Sequence, residues 1–141
     1  MREAAADPIM QRVHDLMGSE FGRLAPELEE GGEIQPVYLP GGEYAVVVAR
    51  SSPSTVTVHK TVGSPDFSVP GLSDCLLREH STWLFGRLER NGDALAVEHT
   101  LHTNVLDGGT LATVVKAVHE MAVATERFLT AAGALASPTD S

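Results

Sequence analysis

The 141-residue sequence predicts a single α+β domain with one mainly antiparallel sheet. Three observations support this prediction: apolar stripes with helical spacing near both ends, apolar or alternating runs between them, and an Asn-Gly turn between the last two runs. The expected order is α-β-β-β-(α)-β-β-α, in which an N-terminal helix and a long C-terminal helix flank a single-layer sheet of about five strands. The domain is expected to span residues 1–133, with 134–141 as a disordered tail.

The first helix is expected to begin at Asp7 and Pro8, because aspartate caps free amide groups and proline fits the first helical position. Its apolar stripe comprises Ile9, Val13, Leu16, Met17, Leu24 and Leu28. Gly18, Gly22 and Pro26 weaken the run, so the position of its last turn stays open. The glycine-rich acidic stretch 27–33 is interpreted as a loop.

Five apolar runs predict the strands, at residues 37–39, 44–49, 55–62, 82–89 and 95–101. The second run is continuous and is typical of a central strand. The third alternates strictly, which places its valines on one face and the threonines with His59 on the other. Asn91 and Gly92 supply the positive φ values of a tight hairpin between the last two strands.

Two further helices are predicted after the third strand. Ser73 is expected to cap a short helix that contains Cys75, although prolines 65 and 70 also allow an irregular crossing. The last helix has the strongest pattern, a broad apolar stripe from residue 111 to 129, with Asp107 as its cap and Gly133 as its stop.

Composition and charge exclude several classes of partner and compartment. Nineteen acidic against ten basic side chains give a net charge of −9, which repels phosphate backbones and anionic lipids, so neither nucleic acid nor a membrane is expected as partner. No run approaches the roughly 20 apolar residues of a membrane span, and the first ten residues lack the pattern of a signal peptide. With Cys75 as the single cysteine, a reducing, cytoplasmic location is expected.

No catalytic, cofactor-binding or metal site is predicted. The six histidines lack the helical spacing and acidic partner of a zinc site, no Gly-x-Ser-x-Gly elbow occurs, and the glycine pairs do not form a phosphate loop. His99 shares a face with Leu95 and Val97 and is interpreted as a satisfied, partly buried histidine. Cys75 is interpreted as a small buried hydrophobe.

The strand 82–89 carries large apolar side chains on both faces. Leu84 and Leu88 share one face, and Trp83 and Phe85 share the other. With helices on one side of the sheet, Trp83 and Phe85 would form an apolar patch of the kind that marks protein contacts. The alternative is that the short helix covers them.

Residues 76–129 show a recognisable succession of features. These are the order Trp83-Leu84-Phe85-Gly86-Arg87, a following strand that ends in Glu98-His99, a leucine and an aspartate before the last helix, and inward alanines on that helix. In these features the segment resembles the C-terminal half of actinobacterial members of the YbjN and type III secretion chaperone-like group. The resemblance implies an α+β fold that commonly dimerises and binds extended client segments without cofactor or catalysis.

The leading hypothesis is therefore a non-catalytic protein- or peptide-binding module, acting as a homodimer, with Trp83, Phe85 and Arg87 on the contact surface. An extended client could add to a sheet edge, and the acidic charge would favour basic clients. The alternative is a small-molecule or lipid binder with an apolar pocket between the sheet and the C-terminal helix. An enzyme with His59 or His99 as base ranks last, because no orienting partner is evident.

Overall fold

The computed structural model describes residues 7–26, 33–40, 45–80 and 86–135. Its elements are α1 (Pro8–Phe21), a 3-10 turn (Gly22–Leu24), β1 (Ile34–Tyr38), β2 (Ala45–Ser52), β3 (Thr55–Gly63), α2 (Leu72–His80), β4 (Arg87–Asn91), β5 (Ala94–His102), a second 3-10 turn (Thr103–Val105) and α3 (Gly108–Ala131). The five strands form one antiparallel sheet in the order β1-β2-β3-β5-β4. The predicted fold class is confirmed.

The helix caps are mostly as the sequence predicts. The Asp7 carboxylate accepts the Ile9 N–H at 2.9 Å, and the Asp107 carboxylate accepts the Thr110 N–H at 2.8 Å. The prediction of Ser73 as a cap is wrong: α2 already begins at Leu72, directly after Gly71, which has a φ of 77°. A glycine takes that conformation without strain, so the chain can turn there without a capping side chain.

The first helix is shorter than its apolar stripe suggests. It ends at Phe21, and Gly22 follows with a φ of 58°, a positive value that departs from the helical conformation and that glycine adopts without strain. Leu24 therefore lies in a 3-10 turn and not on the helical stripe, and Leu28 lies outside the described residues.

Strand β1 begins three residues earlier than predicted. The prediction missed its first half because glutamine and proline, here Gln35 and Pro36, are uncommon in strands. Strand β4 is described from Arg87 onward, and residues 82–85 of the predicted strand lie outside the described residues.

Both long helices pack on the same face of the sheet. Helix α3 contacts β3 and β5, whereas α1 contacts β1 and β2 and also packs on α3. The interface consists of side chains with 0–1% exposure: Val13, Met17, Val37, Val46, Val48, Val56, Val58, Val97, Leu111, Val114, Val115, Val118 and Leu129. Each such burial stabilises the fold by about 1.5–3 kcal/mol. The opposite face of the sheet carries the alternate residues, and we call it the open face.

The chain continues along the core beyond the predicted end of the domain. Ala134 is buried, and its carbonyl accepts the Asp66 N–H at 2.7 Å. Leu135 packs against the core next to Gly63. These two residues fall in the segment predicted as tail, whose remainder, 136–141, lies outside the described residues.

Candidate functional site

The open face forms a shallow hollow of about 560 Å³ across the middle of the sheet. Its floor and walls come from β2, β3, β5 and β4: Val47, Ala49, Ser51, Thr55, Thr57, His59, Arg87, Glu98 and Thr100. These side chains share a face because strand residues alternate in direction and the registers place Val47 opposite His59, and His59 opposite Glu98. The hollow is wide enough to receive side chains of another molecule.

An apolar strip borders the hollow on the β1 side. Ile34 and Tyr38 of β1 are 58% and 37% exposed, and Pro36 between them is half-buried. All three point to the open face, where Ile34 lies opposite Ala49, Pro36 opposite Val47 and Tyr38 opposite residue 45 of β2. Large apolar side chains exposed side by side are typical of contact surfaces.

A polar network forms the other side of the hollow. The Glu98 carboxylate is shared by His59, whose Nδ1 donates at 2.9 Å, and by Arg87, whose Nη2 lies 3.7 Å away. Arg87 also donates through Nε to Glu89 at 3.2 Å, and His59 Nε2 lies 3.2 Å from the Thr61 hydroxyl. Because these groups are partly to half exposed to solvent, each ion pair contributes only about 0–1 kcal/mol to stability. The network therefore orders the surface more than it holds the fold.

The β1 edge of the sheet is poorly suited to pairing with another strand. Ile34, Pro36 and Tyr38 direct their main-chain groups outward, since the Arg50 N–H bonds the Glu33 carbonyl and fixes the alternation. Pro36 has no N–H, and its carbonyl already accepts from Gln35 Nε2 at 2.9 Å. The middle of this edge thus offers no free main-chain donor and an occupied acceptor.

Gln35 is held in place by a buried network that the sequence did not reveal. It has 0% exposure, its Nε2 also donates to the Pro26 carbonyl at 2.8 Å, and its Oε1 accepts from His14 Nδ1 at 2.8 Å. The predicted run 37–39 did not include Gln35, because the sequence alone does not show the partners of a buried glutamine.

Of the predicted contact residues, Arg87 lies on the open face, half-exposed at the rim of the hollow. Trp83 and Phe85 lie outside the described residues, so their position stays a prediction. His59 is on the open face, as its place among the threonines predicted.

The other candidates for chemistry have structural surroundings. His99 lies on the covered face, half-buried, and its Nδ1 accepts the Gly86 N–H at 3.0 Å, which confirms the interpretation of a satisfied histidine. Cys75 is half-buried, not buried as expected, with Arg78 Nη2 3.5 Å from its sulfur. In the described ranges, no three His, Cys, Asp or Glu side chains are grouped to hold a metal ion. None of the helices described is long and apolar enough to cross a membrane.

Searches by sequence find no match, whereas solved structures resemble the chain closely in fold. No protein-family model and no curated protein matches it. The chain superposes on the Yersinia pestis type III secretion chaperone SycH, solved with a stable fragment of YscM2, with a TM-score of 0.62 and 20% identity, covering 80% of this chain and 96% of that chain.

Two further complexes give similar values. The match to the ExsC–ExsE complex has a TM-score of 0.65 at 14% identity and covers 90% of this chain and 97% of that chain. The match to the HopA1–SchA chaperone–effector complex has a TM-score of 0.65 at 10% identity and covers 84% and 94%. The protein thus shares the α+β fold of type III secretion chaperones, and the corresponding part of the sequence resemblance is confirmed at the level of fold.

Proposed function

We propose that this protein is a non-catalytic binding module for a client polypeptide, comparable to secretion chaperones. The observation that carries the proposal is the similarity, over at least 80% of the chain, to chaperones whose structures were solved with protein partners. Fold alone is a weak warrant for function, so the surface of this chain must supply the rest of the argument.

The open face has the properties that client binding requires. Its apolar strip can bury client side chains, and the hollow beside it presents hydroxyl and charged groups that can bond an extended main chain. Arg87 lies at its rim, directly after the segment that carries Trp83 and Phe85, and we assign all three residues to the contact surface. The net charge of −9 favours basic clients through long-range attraction.

Pairing of a client strand with β1 is not part of this proposal. At the centre of that edge Pro36 has no N–H to donate to a client strand, and its carbonyl already accepts from Gln35 Nε2. Side-chain recognition on the open face is therefore the principal mode that we expect.

A substitution that fills the hollow tests whether the client binds on the open face. We expect Thr57→Arg, which places a long charged side chain in the hollow, to weaken the affinity for a client identified by copurification from the native host by at least about tenfold. Thr113→Arg on the exposed side of α3 is the matched control, since Thr113 lies outside the hollow. Isothermal titration calorimetry with the purified client would measure both variants, and equal affinities would place the client elsewhere.

Trp83→Ala tests the predicted aromatic contact. We expect weaker client binding because a tryptophan buried in an interface commonly contributes more than 2 kcal/mol. The far-UV circular dichroism spectrum should remain that of the wild type. Unchanged affinity for client would remove Trp83 from the contact surface.

We also propose that the protein acts as a homodimer, as the family resemblance implies. Sedimentation equilibrium would then give twice the chain mass of 15.0 kDa across the micromolar range. A species of single mass at these concentrations would contradict this part of the proposal.

Membership of the YbjN group, an actinobacterial relationship and a cytoplasmic location remain proposals that rest on the sequence features alone. The alternative of a lipid or small-molecule pocket gains no support from the described residues. The interface of α3 with the sheet is filled by side chains such as Val58, Val97 and Val118, which have no exposure. Native mass spectrometry that shows a bound small molecule would revive this alternative.

A further inference from the structure

Strand β4 is the second edge of the sheet, and its outward main-chain groups are accessible. Because the hairpin pairs Asn91 with Ala94 around a two-residue turn, alternate residues of β4 bond β5 and the residues between them face outward. Leu88 and Arg90 therefore direct their N–H and carbonyl groups away from β5. Among the residues that the structure describes, no further strand and no other main-chain group bonds these outward groups. The β4 edge thus offers the main-chain donors that Pro36 removes from the middle of the β1 edge.

The side chains of β4 alternate between the two faces of the sheet. Arg87 and Glu89 point to the open face, where both are exposed and their Nε and Oε2 atoms lie 3.2 Å apart. Leu88 points to the covered side and packs, partly buried, against the core. The guanidinium of Arg90 lies 3.9 Å from the centre of the Phe67 ring. With two arginines and one glutamate, this edge is not acidic although the net charge of the protein is −9, so two copies can meet here without bringing acidic surfaces together.

The charges of β4 favour a single register if two copies of this strand pair antiparallel. Outward residues must face outward residues for reciprocal main-chain bonds, so the two-fold axis passes through the same residue position of both strands. An axis at Arg87, at Glu89 or at Arg90 places that charge directly opposite its own copy, which is destabilising. An axis at Leu88 places leucine opposite leucine, and Arg87 of each copy opposite Glu89 of the other. Of the four registers, this one alone avoids like charges at the axis.

We infer, on the basis of the homodimer proposed above, that two copies pair antiparallel through their β4 edges with Leu88 on the two-fold axis. The two Leu88 residues exchange a pair of main-chain hydrogen bonds, and their side chains meet at the rim of the covered side. On the open face, each Arg87 pairs with Glu89 of the other copy, so one ion pair lies on either side of the axis. The two five-stranded sheets become one continuous antiparallel sheet.

This pairing joins the two client-binding surfaces into one. Opposed residues of neighbouring strands point to the same face, so the open faces of both copies lie on the same side of the combined sheet. Arg87 lines the hollow, and the hollows of the two copies therefore adjoin where the β4 strands meet. The second copy supplies its Glu89 to the border of each hollow. An extended client segment can then contact both hollows of one dimer.

Charge substitutions test the β4 pairing without any client. Glu89→Arg places arginine opposite arginine on both sides of the axis and should raise the dimer dissociation constant, measured by sedimentation equilibrium at low salt, at least about tenfold. Arg87→Glu should have the same effect through opposed carboxylates. Glu120→Arg on the exposed side of α3 is the matched control, since it changes the net charge equally and should leave the dissociation constant unchanged. Far-UV circular dichroism verifies that each variant is folded.

Mixing the two β4 variants gives a rescue that a purely structural defect would not give. In an equimolar mixture of Glu89→Arg and Arg87→Glu, every charge pair between the two different copies is attractive, so the mixed dimer should form in preference to either dimer of one variant. Native mass spectrometry separates the three dimers by mass. An unchanged dissociation constant for Glu89→Arg, or a mixture without the mixed dimer, would overturn the β4 pairing.

Cysteine cross-linking tests the register. The Cα atoms of a hydrogen-bonded antiparallel pair lie about 5.5 Å apart, within the range of a disulfide. In a Cys75→Ser background, Leu88→Cys should therefore form a covalent dimer on mild oxidation, visible on a non-reducing gel. Arg90→Cys is the matched control, because its two copies would lie roughly 13 Å apart along the strands. A covalent dimer of Arg90→Cys, or none of Leu88→Cys, would overturn the register.

Client affinity is measured separately, so the two proposals can fail independently. A wild-type dimer that is insensitive to the β4 substitutions retains the homodimer and the binding function but overturns the β4 pairing. A wild-type chain that remains monomeric at micromolar concentrations overturns the homodimer and the β4 pairing together. In either case the affinity of Thr57→Arg for client still decides whether the open face binds the client.

Discussion

The two sides of the sheet differ in how far they bury ionisable side chains, although residues of the same strands point alternately to one side and to the other. On the covered side, burial is the first cause that lowers the pKa values of Lys60 on β3, of His99 on β5 and of His119 on α3, which packs over this face. On the open face, His59, Glu98 and Arg87 keep solvent access and bond to one another. Burial thus disfavours the protonated forms on one side, whereas on the other the ionisable groups remain accessible to solvent.

The largest expected effect is a difference in unfolding free energy between two aspartate substitutions, one on each face of β3. Val58→Asp puts a carboxylate into a site with no exposure and should cost about 4 kcal/mol or more of unfolding free energy, enough to unfold much of the protein. Thr57→Asp, one residue earlier on the open face, should cost less than about 1 kcal/mol. Urea denaturation followed by circular dichroism measures the difference, and comparable losses would contradict the assignment of faces.

A smaller effect is expected where the covered face accommodates a polar side chain. Gln35→Leu keeps approximate volume but leaves His14 Nδ1 and the carbonyls of Pro26 and Pro36 without their bonds to the amide. We expect a loss of about 1–3 kcal/mol in unfolding free energy. Gln11→Leu on the exposed side of α1 is the control and should change stability by less than about 0.5 kcal/mol. A neutral result for Gln35→Leu would mean that water satisfies these groups equally well.

Acid should destabilise the fold through the covered face. His119 and His99 have folded-state pKa values below the ordinary value, so the unfolded chain binds more protons, and the stability that they contribute above about pH 6.5 decreases as pH falls. His119 Nδ1 is buried and has no hydrogen-bond partner among the residues that the structure describes. His119→Leu should therefore flatten the decline in unfolding free energy between about pH 7 and about pH 5. His59→Leu on the open face serves as the comparison, and an equal flattening there would refute the role of burial.

The smallest effect on stability is expected at Arg87, which is about half-exposed and paired with Glu89 and Glu98. Arg87→Ala should change the unfolding free energy by less than about 1 kcal/mol. If the open face binds the client, the same variant should still weaken client affinity severalfold. Thermal denaturation and titration calorimetry on one preparation would show whether stability and binding separate at this position.

The sequence predicted those features that depend on local order. Alternation along residues 55–62 assigned both faces of β3 correctly, and the acidic caps at Asp7 and Asp107 located two helix starts, because each pattern is contained within a few neighbouring residues. Features that depend on distant partners were missed. The predicted first strand begins after Gln35, whose partner His14 lies 21 residues away. The burial of Lys60 depends on the packing of α3, which carries Glu126, against the sheet.

The two edge strands of the sheet, β1 and β4, differ in the main-chain groups that they offer, and this difference would limit how many copies of the protein can pair edge to edge. At the β1 margin, Pro36 and the amide of Gln35 deny main-chain bonds to an incoming strand, whereas β4 forms the other margin. If two copies pair through their β4 margins, both outer ends of the combined sheet are β1 strands, which do not accept a third copy. Growth by edge-to-edge pairing would then stop at two copies, because a third copy would find no main-chain donor at the middle of either outer β1 edge, and such a sheet would not extend into a fibril.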